Sequence, residues 1–137
     1  MNDFCFVDLV LGHEQNMAVD ITPADVEAFC RSSGDWSTIH VDDEYAVSRG
    51  FAQRLVHGML IGSYLSAFVG MKLPGRHGLL QSMNCQFRRP CYAPAHLAIN
   101  GKVVRRSEAL RVVTIDIVVT RDAETLVVAQ ANSVMKV

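Results

Sequence analysis

Asp35 and His40 stand five residues apart in Ser33-Gly34-Asp35-Trp36-Ser37-Thr38-Ile39-His40, a stretch too rich in small polar residues to be buried packing. A carboxylate and an imidazole at that separation can grip one water, one group taking a proton from it while the other orients it. Further along, His57-Gly58-Met59 opens the most apolar helix-like run in the chain. A main-chain N–H at such a helix start can meet an oxygen on which negative charge develops, and a glycine at 58 permits close approach. Together these suit acid–base chemistry on a carbonyl compound. Taken alone, the pair also has a plainer reading, with Asp35 capping a turn and His40 a hydrogen-bonded surface histidine. A zinc site built from His40 and His57 would lack cysteine or carboxylate ligands at workable spacing, so no metal is expected. His57 is assigned instead to ordering the loop through hydrogen bonds.

The elements that must hold these residues can be read from local pattern. Val7 to Leu11 forms a lead-in, and Met17 to Ile21 a first strand. Thr22 is a good N-cap, Pro23 fits the first helical position and Asp25 complements the helix dipole. Val26, Phe29 and Cys30 then recur at helical spacing, which predicts a short amphipathic helix from Pro23 to Arg31 that delivers Asp35. Asp42, Asp43 and Glu44 begin another helical turn or two, broken at Gly50; they read as a solvated helix start, without the ligand series of a metal loop.

A longer helix runs from Gly58 to about Lys72. Gly58, Gly62, Ser66 and Gly70 share one face of it, a strip that would admit another backbone or a thin ligand. Leu60, Tyr64, Leu65, Phe68 and Val69 cover its other faces, so the helix should be largely wrapped by other structure. Leu73-Pro74-Gly75 ends it. The second half is strand-like: Leu79 to Phe87, His96 to Arg105, Leu110 to Thr120 and Thr125 to Val137. Breaks fall at Arg88 to Pro94, Arg106-Ser107-Glu108 and Arg121 to Glu124, and Arg111, Asp116 and Arg121 are assigned to solvent-facing strand positions. Four successive strands with short connections favour an antiparallel meander.

Composition bounds the rest. At 137 residues, half of them apolar and a fifth charged, the chain is the size of one globular domain, here residues 1–137. A net charge of −1 gives no basic excess for nucleic acid or an anionic membrane surface. No apolar run approaches the roughly 18 residues of a spanning helix, and the N-terminus makes a poor signal peptide. Cys5, Cys30, Cys85 and Cys91 are scattered, which fits buried free thiols and a cytoplasmic location.

The run from Ser33 to Ser66 resembles the hydratase motif of the MaoC-like dehydratase family, the (R)-specific enoyl-CoA hydratases (hydratase 2). Asp35, His40, Tyr45-Ala46, Gly50-Phe51 and Val56-His57-Gly58-Met59 stand in the family's order, followed by Leu73-Pro74-Gly75 and Phe87-Arg88-Arg89-Pro90. The resemblance implies an α+β hot-dog fold, with a long central helix wrapped by a curved antiparallel sheet of about five strands and protomers paired as a dimer. It implies hydration of trans-2-enoyl thioesters of coenzyme A or acyl carrier protein to (R)-3-hydroxyacyl thioesters, or the reverse, with no cofactor. Asp35 and His40 would be catalytic. Gly58, Ser66, His57 and Met59 would form the oxyanion and substrate-binding part, and Lys72, Arg76, Arg88 and Arg89 are candidates to meet carrier phosphates. Where relatives carry Asn-Pro between acid and imidazole, this chain has Ser37-Thr38, which can hold a turn through side-chain-to-backbone hydrogen bonds. Pro94-Ala95 replaces a Gly-Asp turn remote from the pair.

Two rival functions remain open on sequence. A hot-dog thioesterase would place an acid on the central helix, and Met59 to Met71 contains none. A non-catalytic acyl-binding or scaffold subunit would have no reason to keep both Asp35 and His40.

Overall fold

The computed structural model describes residues 1–136. Five antiparallel strands form one sheet: β1 (Glu14–Ile21), β2 (Gly78–Phe87), β3 (Ala95–Ser107), β4 (Val112–Arg121) and β5 (Glu124–Met135). Between β1 and β2 come four helices, α1 (Pro23–Ser33), α2 (Thr38–Val41), α3 (Asp43–Ser48) and α4 (Gly58–Met71). The expected lead-in appears as a single 3-10 turn, Phe6–Asp8. Val137, the last residue of the expected fifth strand, lies outside the described residues.

The helix signals act as their chemistry predicts. Thr22 caps α1 in a reciprocal box with Asp25, and Pro23 fills the first turn. Gly34 ends the helix in the left-handed region at φ 76°, where glycine carries no Cβ penalty. The chain then turns sharply into Asp35.

Strand order differs from the predicted meander. The sheet runs β1-β3-β4-β5-β2, so β3, β4 and β5 follow one another but β2 pairs with β5 at the far edge. Residues 88–94 therefore cross the sheet end from β2 back to β3, instead of making a tight hairpin. Strand β3 also continues through Ser107, with Arg106 still paired to Val113, and the turn moves to residues 108–111. Arg111 is accordingly a turn residue at φ 51°, not a strand residue.

Bulges at Leu80/Ser82, Val103/Arg105 and Val119/Thr120 bend the sheet, because each leaves one residue unpaired and raises the local twist. The concave face closes on α4 in the hot-dog arrangement. Leu60, Ile61, Leu65, Phe68 and Val69 of the helix are buried against Leu97, Ile99, Ile115 and Ile117 of the sheet. Burial of that size supplies most of the folding drive, at about 25 cal/mol per Å² of apolar surface. The wrapping is nevertheless one-sided: Ser63, Ser66 and Ala67 face out, with Met59 at 62% exposure. No helix among the described residues is long and apolar enough to cross a membrane.

Gly101 lets Phe68 reach the sheet. A methyl group there would lie 2.4 Å from the Phe68 ring and 3.3 Å from Ile115. Gly101→Ala should therefore lower unfolding stability in urea by about 1–3 kcal/mol through overpacking. Gly70→Ala, where an added methyl meets nothing within 4 Å, should leave it unchanged or raise it by up to ~1 kcal/mol. Equal stability of Gly101→Ala and the parent would contradict this packing.

Candidate active site

Three loops converge where α1, α2 and α4 meet. The first is the turn after α1, in which the Asp35 N–H donates to Ser33 Oγ at 3.1 Å. The second is α2, which carries His40. The third is residues 51–57, fastened on both sides: Leu55 N–H donates to Ile39 O at 3.0 Å, and Val56 N–H to Cys91 O at 2.8 Å. Asp42 caps α3 through Tyr45 N–H, and Asp43 accepts from Arg54 N–H, so these two acids set the course of the chain.

His57 is 2% exposed and sits at the N-cap of α4. Its Nε2–H donates to the main-chain carbonyl of Asp35 at 3.0 Å, tying the loop to the helix start. Its ring stacks on His40 with centroids 3.8 Å apart and planes 25° apart. Phe29 of α1 closes the other side at 4.9 Å, and the Cys30 sulfur lies 3.7 Å from Nε2.

His40 is half-buried, and its Nδ1–H donates to Leu55 O at 2.8 Å. A carbonyl only accepts, so the proton sits on Nδ1 and the neutral ring keeps its Nε2 lone pair free. Burial pushes the His40 pKa below its ordinary 6.5, with His57 adding to the shift and the Leu55 carbonyl and Asp35 opposing it. Asp35 moves the same way for another reason: hydrogen bonds from the Ser37 hydroxyl and N–H hold its carboxyl below the ordinary 3.8. The resting pair is a carboxylate beside a neutral imidazole.

Oxygen and nitrogen atoms of Asp35, His40 and His57 lie within 4.8 Å of one another. Two hydrogen bonds of roughly 2.8 Å meeting at a water span about 4.6 Å, so the trio has the reach to share one. Zinc fits poorly. A metal binds in the plane of each imidazole at about 2.0–2.1 Å, and two stacked rings offer no such common point. The nitrogens His40 Nδ1 and His57 Nε2 are also committed to carbonyls.

A cavity of about 340 Å³ opens beside His40, within the usual size range for small-molecule sites. Its walls are mostly apolar, including Phe51, Ile61 and Phe87, and Gly58 contributes its backbone. No side chain caps α4, and among the described residues no main-chain acceptor faces the Gly58 N–H. A methyl at Gly58 would press on the Phe87 ring at 3.0 Å. That donor is therefore available to an oxygen lying in the cavity.

Not every sequence candidate arrives there. Ser66 is exposed on the outer face of α4, and Met59 folds over Gly62 rather than lining the cavity. The strip of small residues is correspondingly not a continuous groove within this chain; only Gly58 faces the cavity. Arg88 and Arg89 stand at it, whereas Arg76 pairs with Asp3 and Lys72 follows the end of α4. Of the cysteines, Cys30 and Cys91 are buried as expected, but Cys5 is exposed and Cys85 half-buried. The stacking of His57 on His40 carried no local signal in sequence.

The family model described as MaoC like domain matches residues 11–126. An (R)-specific enoyl-CoA hydratase of Rhodospirillum rubrum is 32% identical over 85 residues, which are 62% of this chain and 59% of that protein. The match thus spans less than two thirds of that relative. An (R)-specific enoyl-CoA hydratase of Aeromonas caviae is 26% identical over 107 residues, 78% of this chain and 80% of the relative. The solved structure of an R-hydratase from Pseudomonas aeruginosa superposes with a TM-score of 0.87 at 26% identity, covering 95% of this chain and 84% of that one.

The depressed His40 pKa fixes a sign. Above the ordinary 6.5 the ring is neutral folded or unfolded, and below it the unfolded chain binds the proton more readily. Stability contributed by this site should be full above that pH and decline as pH falls toward the folded value. Nitrogen-15 NMR should give a His40 midpoint below 6.5 and an Nδ1–H tautomer at neutral pH. A midpoint at or above the ordinary value would contradict the burial of this ring.

Proposed function

The chain belongs to the MaoC-like domain family, and from that membership we propose that it is a hydro-lyase. In this reading it hydrates trans-2-enoyl thioesters of coenzyme A to (R)-3-hydroxyacyl thioesters and catalyses the reverse dehydration. The observation that carries the reading is an ionised Asp35 next to a neutral His40 whose free nitrogen is Nε2, with His40 lining an apolar cavity. The (R) outcome and the coenzyme A carrier are taken from the names of the two hydratase relatives.

Two acceptors hold a water by both of its hydrogens, one on the carboxylate and one on the imidazole. Its lone pairs then point away from the pair, toward C3 of an enoyl group in the cavity. As the C–O bond forms, one of the pair takes the proton. Negative charge moves through the conjugated system onto the thioester oxygen, where the Gly58 N–H at the positive end of α4 opposes it. Returning the proton to C2 completes the addition and restores the pair. Hydroxyl has gone to C3 and hydrogen to C2, with no electron acceptor involved.

The exposed face of α4 supports a homodimer, in which a second copy covers Met59, Ser63, Ser66 and Ala67. Ser66 would then meet the acyl thioester at the interface, and size in solution by light scattering tests this: a monomer contradicts it.

In the central assay, crotonyl-CoA and longer enoyl-CoAs are followed by loss of enoyl absorbance. Asp35→Asn and His40→Ala should each lower kcat/KM by about 10²–10⁴-fold, the range of a general acid–base contribution. The double variant should be little worse than either, because the pair acts as a unit. Full activity in either single variant would remove that residue from the chemistry. Release of free coenzyme A with the double bond intact would replace the reading with thioester hydrolysis.

A further inference from the structure

Ser37 occupies the N-cap position of α2. A serine there ordinarily accepts a hydrogen bond from the second or third N–H of its helix. This one makes no cap bond. Its hydroxyl turns back and donates to Asp35 Oδ1 at 2.6 Å, and its main-chain N–H donates to the same oxygen at 3.1 Å. Oδ2 receives neither and lies toward His57, 4.0 Å from Nε2.

The Asp35 side chain is 44% exposed, so packing does not hold it. Rotation of a carboxylate about its last torsion is broad and nearly two-fold, and only directional bonds can fix it. We propose that Ser37 is the positioning residue for Asp35, pinning Oδ1 so that Oδ2 alone is presented to the water shared with His40. This rests on the acid–base reading of Asp35 and His40. It also gives the hydroxyl at the departure from the family's Asn-Pro a role beyond shaping a turn.

Ionisation is coupled to the same contact. The titratable groups around Asp35 are His40, His57 and the Cys30 thiol. Ser37 exerts the largest influence, and it favours the charged form. Removing the hydroxyl therefore moves the Asp35 pKa upward.

The test uses the full chain as Ser37→Ala, Ser37→Thr and Asp35→Asn. Readouts are kcat/KM for enoyl-CoA hydration and the carbon-13 titration of the Asp35 carboxyl. Ser37→Ala should lower kcat/KM on the order of threefold to tenfold, as expected for loss of one charge-assisted hydrogen bond in an open setting. The Asp35 titration should shift to higher pH. Ser37→Thr, which keeps a hydroxyl, should restore rate and midpoint. The proposal is overturned if Ser37→Ala matches the parent in both readouts while Asp35→Asn is inactive. It is equally overturned if Ser37→Ala merely lowers Tm with the carboxyl midpoint unmoved. Activity retained in Asp35→Asn instead defeats the underlying reading, and the carboxyl titration, which needs no turnover, keeps the two failures apart.

Discussion

The hydrogen bond from His57 Nε2–H to the Asp35 carbonyl holds the site together, because it joins the turn after α1 to the start of α4. Asp35 follows a left-handed glycine in a polar turn, a segment with little apolar surface of its own to anchor it. His57 is the opposite: fully buried, with Phe29 on one side and His40 on the other. One buried ring thereby sets the position of the Asp35 carboxylate and forms the platform for the half-buried His40 ring. Leu55 completes the frame by accepting from His40 while donating to Ile39. Each of the three loops is held by a bond to another loop.

That frame decides protonation as well as position. Carbonyl acceptors at Asp35 and Leu55 select the tautomers of His57 and His40, since a carbonyl can only receive. Partial burial disfavours charge on His40, and Ser37 favours charge on Asp35. The pair thus rests as two acceptors, the state that suits gripping a water by its hydrogens. In the wall of the cavity that His40 lines stands a donor of opposite character, the uncapped Gly58 N–H. Two acceptors and a donor grouped in this way suit the charge movement proposed for conjugate addition to a thioester. The sheet acts at one remove, since β3 and β4 fix α4 through Phe68 over Gly101, and α4 in turn fixes both His57 and Gly58.

Local signals in the sequence were sufficient for local structure. Thr22, Pro23 and Asp25 mark the start of α1 because capping is decided within four residues, and Gly58 to Met71 stands out through its apolar content. The five-residue spacing of Asp35 and His40 survives because the turn and α2 bring both to one side. Pairing across the sheet was not legible, since nothing within β2 distinguishes β5 from β3 as a partner. The same holds for the outward face of α4: Ser66 and Met59 lie on the helix as helical spacing requires, but that spacing does not say which face meets the sheet. His57 stacks on His40 only after three separate loops have closed. The Ser37 hydroxyl is a finer case, in which a residue suited to capping its helix is diverted to a neighbouring carboxylate.

The central claim is that Asp35 and His40 share one oxygen above a thioester whose carbonyl meets the Gly58 N–H. A crystal structure with a bound, non-reacting (R)-3-hydroxyacyl thioester analogue tests it most directly. The predicted complex has the 3-hydroxyl oxygen within about 3.2 Å of both Asp35 Oδ2 and His40 Nε2, and the thioester oxygen within the same reach of the Gly58 nitrogen. A hydroxyl beyond hydrogen-bond distance of either side chain, or a carbonyl turned away from the start of α4, would contradict it.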